Sequence, residues 1–165
     1  MTTLNFTSAK AYRDYKNRDL DAERLPIGAE NGVTLLHANN TRDSFFFGHD
    51  DIYSIDDARK AWLSGDYDYV ATLDVHNLET AYEITQNITS SWVASPTWIN
   101  YVAAEFTDGA RSTSVGDILL LSNKDGKTEA WIVAGCGFTF GWVVTSATIM
   151  ESQGASAARQ EAEAA

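Results

Sequence analysis

Turn residues and strand-like apolar runs follow one another most densely in the last third of the chain. Gly116-Asp117 precede an apolar run from Ile118 to Leu121, Asn123-Lys124-Asp125-Gly126 has the composition of a turn, and Trp131 to Ala134 is rich in aromatic and β-branched residues. Gly135, Gly137 and Gly141 then punctuate a third run, Phe138 to Val144. This spacing predicts a β-meander. Upstream, Tyr67, Tyr69, Ala71, Leu73 and Val75 alternate with Asp68, Val70, Thr72 and Asp74, the pattern of a strand with one face in solvent. Val33 to His37 and Ser44-Phe45-Phe46-Phe47-Gly48 are further runs of strand length, and the triple aromatic suits a strand covered on both faces.

Helical spacing takes over between these runs. Ser54 is placed to cap a helix, Asp56 and Asp57 complement the positive end of its dipole, Ile55, Ala58, Trp62 and Leu63 form its apolar stripe, and Gly65 ends it. Asn77 caps a second helix from Leu78 to about Gln86, with Leu78, Ala81, Tyr82 and Thr85 turned inward. Ser95-Pro96 has the form of a third helix start, and Trp98, Ile99, Val102, Ala103 and Phe106 fall at helical intervals before Asp108-Gly109. Ser8 to Leu25 reads as a weakly amphipathic helix closed by Pro26-Ile27-Gly28, and the Ala- and Glu-rich stretch from Ser152 to Ala165 reads as a helical fringe or flexible tail that should be dispensable.

These elements predict an α+β protein with one main domain over residues 31–150, flanked by an N-terminal helical arm (1–30) and a flexible tail (151–165). The expected architecture is a mixed or antiparallel sheet ending in the meander, with three helices packed on one of its faces.

Charge changes the picture more than composition does. The 165 residues are 44% apolar, enough for one good core, and carry a net charge of −11. Residues 1–30 balance at five basic and five acidic, and residues 111–150 at three each. From Ala61 to Ala110 there is no Lys or Arg, while Asp66, Asp68, Asp74, Glu79, Glu83, Glu105 and Asp108 supply seven negative charges. A surface of one sign without cations is unsuited to gripping phosphates, so no direct nucleic-acid binding is expected of it. It suits a basic protein partner, or imitation of a nucleic acid in a basic groove, and it is also what a solvated acidic exterior looks like.

Candidate chemistry is sparse. Cys136 is the single cysteine, which excludes an internal disulfide and a thiolate zinc cluster, and its apolar surroundings predict a small buried thiol. His49-Asp50-Asp51 has residue types of a metal site, but His37 and His76, the other histidines, stand in no recognisable ligand spacing, so no metal or cofactor is expected. No apolar run approaches the length of a membrane span, and the expected setting is a soluble cytoplasmic protein.

The segment Arg111-Ser112-Thr113-Ser114-Val115-Gly116-Asp117 has two readings. Its hydroxyls and Asp117 can satisfy backbone groups at a strand entry, with Arg111 pairing to Asp117 or to another carboxylate. Alternatively Arg111, Ser112, Ser114 and Asp117 line a pocket for an anion or small ligand, with His76 or Trp92 nearby. Ser114 lies in no nucleophile-elbow motif. Together with Thr85-Gln86-Asn87, Trp92 and the Gly137-Phe138 strand end, this heptapeptide resembles a small uncharacterised domain met in proteins of bacteriophages, plasmids and their hosts. The likeness covers roughly residues 67–138, and Gln86 stands where the pattern usually has the asparagine directly after the threonine. The resemblance implies a mobile-element setting rather than a mechanism. The functional expectation is a non-enzymatic protein that docks the acidic residues on a basic host complex, such as a CRISPR effector or restriction enzyme. A ligand-binding protein or enzyme using the Arg111–Asp117 loop, and a phage structural subunit that self-assembles, are the alternatives.

Overall fold

The structure, a computed structural model, describes residues 32–38, 55–94, 98–123 and 127–164. The expected N-terminal arm, the Phe45–Phe47 run, His49-Asp50-Asp51, the Ser54 cap, Ser95-Pro96 and the Lys124–Gly126 turn lie outside these residues.

Among the described residues six strands form one antiparallel sheet: β1 (Val33–Ala38), β2 (Tyr67–Leu73), β3 (Ile99–Val102), β4 (Ile118–Ser122), β5 (Thr128–Val133) and β6 (Phe138–Val144). Their spatial order is β3-β2-β1-β4-β5-β6. Two three-stranded meanders therefore meet where β1 runs against β4, with Val33 opposite Leu121 and Leu36 opposite Ile118. The second of these is the C-terminal meander expected from the glycine punctuation.

Among the described residues three α-helices accompany the sheet: α1 (Ile55–Leu63), α2 (Leu78–Ile84) and α3 (Ser146–Ala164). Asn77 caps α2 as its sequence position suggested, its side-chain oxygen accepting the Thr80 N–H at 2.8 Å. The helices do not share one face as expected. Ala58, Ala61 and Trp62 of α1 pack with Leu36, Tyr67, Tyr69, Tyr101, Ile118, Leu120 and Trp142 on one side of the sheet. Leu78 and Ala81 of α2 pack with Val33, Leu35, Val70, Leu73, Ile99, Leu119 and Val133 on the other.

Two-sided covering explains why β2 departs from its half-exposed pattern. Its register against β1 shifts between Leu35 and Leu36, so Val70 and Ala71 both join the α2-side core while Tyr67 and Tyr69 face α1. The expected third helix is absent as well. Ile99–Val102 is the short edge strand β3, wholly buried and hydrogen-bonded to β2, followed by a single 3₁₀ turn at Ala104–Phe106. Helical spacing in that segment is a by-product of a strand and a turn that each bury apolar residues.

The Ala- and Glu-rich stretch, read as a helical fringe or a flexible tail, lies in the long helix α3, and polar contacts fasten it. The Trp62 Nε1–H donates to the Tyr69 hydroxyl at 2.9 Å, Tyr69 donates to Ser152 Oγ at 3.1 Å, and Ser152 donates back to the Trp62 carbonyl at 2.9 Å. This closed ring ties α1, β2 and α3 together, and its burial pushes the Tyr69 phenol up to about 12. Ser156 Oγ donates to the Tyr67 carbonyl at 3.2 Å, and Arg159 Nε–H to the Gly65 carbonyl at 2.7 Å. Gly65, at φ +83°, lies so close under α3 that a Cβ there would be 2.5 Å from the Ala155 carbonyl carbon.

Candidate functional site

The Arg111–Asp117 segment leads into β4 and ends in a wholly buried carboxylate. Asp117 Oδ1 accepts the Ala38 N–H at 2.8 Å and Arg111 Nη2 at 2.7 Å, and Oδ2 accepts Arg111 Nη1 at 2.7 Å and the Ser114 N–H at 2.8 Å. Four donors thus fill the lone-pair positions of one carboxylate. The Ala38 contact carries the β1–β4 pairing beyond its last ladder partner. Arg111 also donates to the Ala38 carbonyl at 3.1 Å, the Ser112 carbonyl at 3.0 Å and Ser114 Oγ at 3.1 Å. The guanidinium is committed to acceptors of this chain, which is the structural one of its two readings.

Thr113 points the other way, to the end of α2. Its Oγ1 lies 2.7 Å from Thr85 Oγ1 and 3.3 Å from His37 Nε2. Thr85 gives its only hydroxyl proton to the Ala81 carbonyl at 2.8 Å, so Thr113 donates to Thr85 and is left to accept from His37. His37 therefore carries its proton on Nε2. Burial lowers its pKa to about 4, against the opposing pull of the Asp117 charge, and the ring is neutral near pH 7.

Asn87 and Trp92 complete the enclosure. Asn87 donates from its backbone to Ser112 Oγ at 2.8 Å and from Nδ2 to the Ala110 carbonyl at 2.8 Å, and its Oδ1 accepts the Trp92 N–H at 3.0 Å. Trp92 Nε1–H donates to the Arg111 carbonyl at 3.0 Å, and its ring meets the His37 ring edge-on at 6.4 Å. Gln86 Nε2 reaches the carbonyls of Tyr82 and Thr113, both at 3.0 Å. His76, offered with Trp92 as a neighbour of the loop, is exposed beyond the end of β2.

A histidine, a hydroxyl and a carboxylate this close invite comparison with a nucleophile relay, and the geometry argues against one. The same His37 nitrogen faces both Thr113 and, at 3.9 Å, Asp117, whereas a relay uses the two ring nitrogens separately. His37, Thr113 and Asp117 are at most 3% exposed, so no substrate reaches them. The arrangement is a latch joining β1, α2 and β4. Sequence reading found Arg111 and Asp117 but missed His37, Thr85 and Thr113, whose partners lie far away along the chain.

The acidic candidates differ in exposure. Asp74, Glu79, Glu83, Glu105 and Asp108 are exposed, whereas Asp66 and Asp68 are half-buried. Asp68 pairs with Arg159 of α3, so an arginine from the C-terminal region neutralises one of the seven. Burial raises the Asp68 pKa, with Arg159 pulling the other way. Asp68 and Asp74 also stand near opposite ends of β2, about 20 Å apart at ~3.3 Å per residue.

Glu79 and Glu83 of α2 overlook a cleft of about 260 Å³ between that helix and the β5–β6 turn. Tyr82 and Phe138 line it, their ring centroids 6.3 Å apart at 76°, as do Gly135 and Gly137. Cys136, between these glycines, is exposed at the turn rather than buried in a strand. Among the described residues no group of three or more His, Cys, Asp or Glu is placed to hold a metal ion, and no helix is long and apolar enough to cross a membrane. The chain matches no protein-family model, no curated protein and no solved structure.

Proposed function

We propose that this chain is a non-enzymatic interaction protein of a phage or other mobile element. It acts in the host cytosol by setting exposed carboxylates against a basic surface of a nucleic-acid-targeting defence complex. Asp74, Glu79, Glu83, Glu105 and Asp108 supply the charge, and Asp68 is withdrawn from the set because Arg159 answers it. The observation that carries this reading is the exposure of those five side chains on a stretch of 50 residues containing no Lys or Arg. Such a surface raises the encounter rate with a cationic groove and competes there with phosphates. The competing idea of an anion pocket at Arg111–Asp117 loses its cation to Asp117.

The test is inhibition of DNA cleavage by a panel of CRISPR effector complexes and restriction enzymes, at low and high salt. A variant combining Asp74→Asn, Glu79→Gln, Glu83→Gln and Glu105→Gln should inhibit at least about tenfold more weakly and with a flatter salt dependence, while Asp68→Asn keeps the wild-type potency. Equal potency of the quadruple variant, or no inhibition of any complex by the wild-type protein, overturns the reading.

A further inference from the structure

We infer that the cleft between α2 and the β5–β6 turn receives an arginine side chain of the basic partner. This rests on the interaction reading above and names what one part of that surface grips.

The cleft combines three features that suit a guanidinium. Glu79 and Glu83, one helical turn apart on α2, place two exposed carboxylates at its rim, and no cationic residue lines it. Tyr82 and Phe138 supply half-buried aromatic surface, over which a planar cation is attracted by the ring quadrupole. Gly135 and Gly137 form the far wall without side chains; an added Cβ at either would meet nothing within 4 Å, so the space in front of them is open. A guanidinium can stack on an aromatic face and still direct its N–H fork at a carboxylate. An ammonium is a more strongly hydrated point charge without a planar fork, so it does both less well. Arginine is also among the residues that most often anchor an interface when seated in a pocket with its charge answered.

Gly135 separates shape from charge. It does not have the positive φ of Gly137 and has open space at its Cβ, so Gly135→Leu is compatible with the fold and sets a bulky side chain on the cleft wall while leaving every carboxylate in place.

The experiment is an amide chemical-shift titration of the full chain with N-acetyl-argininamide, beside its lysine analogue and the uncharged citrulline analogue. The arginine probe should shift the amides of Tyr82, Gly137 and Phe138, the lysine probe should bind several-fold more weakly, and the citrulline probe should leave them unmoved. Gly135→Leu should abolish the response, and so should the double variant Glu79→Gln, Glu83→Gln, whose exposed positions put the fold at no risk. Unmoved amides with arginine, equal responses to arginine and lysine, or a response that survives either variant overturns the inference. The probe needs no partner, so the cleft is tested even where no defence complex is inhibited. If Gly135→Leu inhibits as the wild type does while the quadruple charge variant does not, the acidic surface stands and the arginine seat falls.

Discussion

Asp117 is gripped by Arg111 through two parallel hydrogen bonds of 2.7 Å, and the pair is lopsided: the carboxylate is fully enclosed while 32% of the arginine side chain remains in contact with water. Removing the arginine strands a charge in the interior. Arg111→Ala is therefore expected to lower unfolding free energy by ~3–5 kcal/mol, and Arg111→Lys to recover only part of it because an ammonium cannot form the fork. Urea denaturation followed by tryptophan fluorescence measures both. A loss below about 1 kcal/mol for the alanine variant would contradict the latch.

His37 makes stability depend on pH in a stated direction. Its pKa falls from 6.5 to about 4 on folding, so between those values the unfolded chain takes up a proton that the folded chain refuses. The stabilisation is complete above pH 6.5 and is lost as pH falls toward 4, amounting to about 3 kcal/mol over the window. His37→Gln should flatten that part of the curve while lowering stability at pH 7. A wild-type profile identical to the variant's between pH 6.5 and 4 would show that His37 is not held neutral.

Two glycines near α3 should respond oppositely to alanine. Gly65→Ala forces a left-handed backbone and a Cβ 2.5 Å from the Ala155 carbonyl carbon, so it should destabilise by ~2 kcal/mol or more. Gly154 is exposed within α3 with nothing near its Cβ, and Gly154→Ala should stabilise by ~0.5–1 kcal/mol. Thermal melts of the two variants provide the comparison.

Deleting residues 146–165 tests α3 as a whole. The deletion unmasks Trp62 and Tyr69, removes the hydrogen bonds of Ser152 and Ser156, and leaves Asp68 without Arg159. A sharply lower melting temperature and a red-shifted tryptophan emission are expected. Unchanged melting would restore the view of this segment as a dispensable tail.

The contrast between well and poorly foreseen elements has a physical origin. The C-terminal meander was legible because its turns and apolar runs are local, and α2 because Asn77 and Leu78 announce its start. β3 was not, since four buried residues are too few to display alternation and Ile99 and Val102 also satisfy a helical interval. The full length and the docking of α3 escaped because serines and an arginine hold it, where a hydrophobic stripe would have been visible. In the latch, Arg111 and Asp117 lie six positions apart and could be paired on paper, whereas His37 and Thr113 are separated by 76. No local pattern encodes a contact of that span. The acidic stretch was plain as composition, but the Asp68–Arg159 pair needed the fold to bring distant segments together.

The strand order β3-β2-β1-β4-β5-β6 has a kinetic corollary. Every pairing joins consecutive strands except that of β1 with β4, yet only β4-β5-β6 closes by short hairpins, since 28 residues separate Ala38 from Tyr67 and 25 separate Leu73 from Ile99, so the C-terminal ribbon can zip up while β1, β2 and β3 wait for longer loops to close. Closing those longer loops is expected to set the pace of folding. Two polypeptides made by severing the backbone at Gly109 should reassociate through β1 against β4, α3 against α1 and β2, and Thr113 against Thr85, and complementation of the fragments would reveal how independently each ribbon assembles.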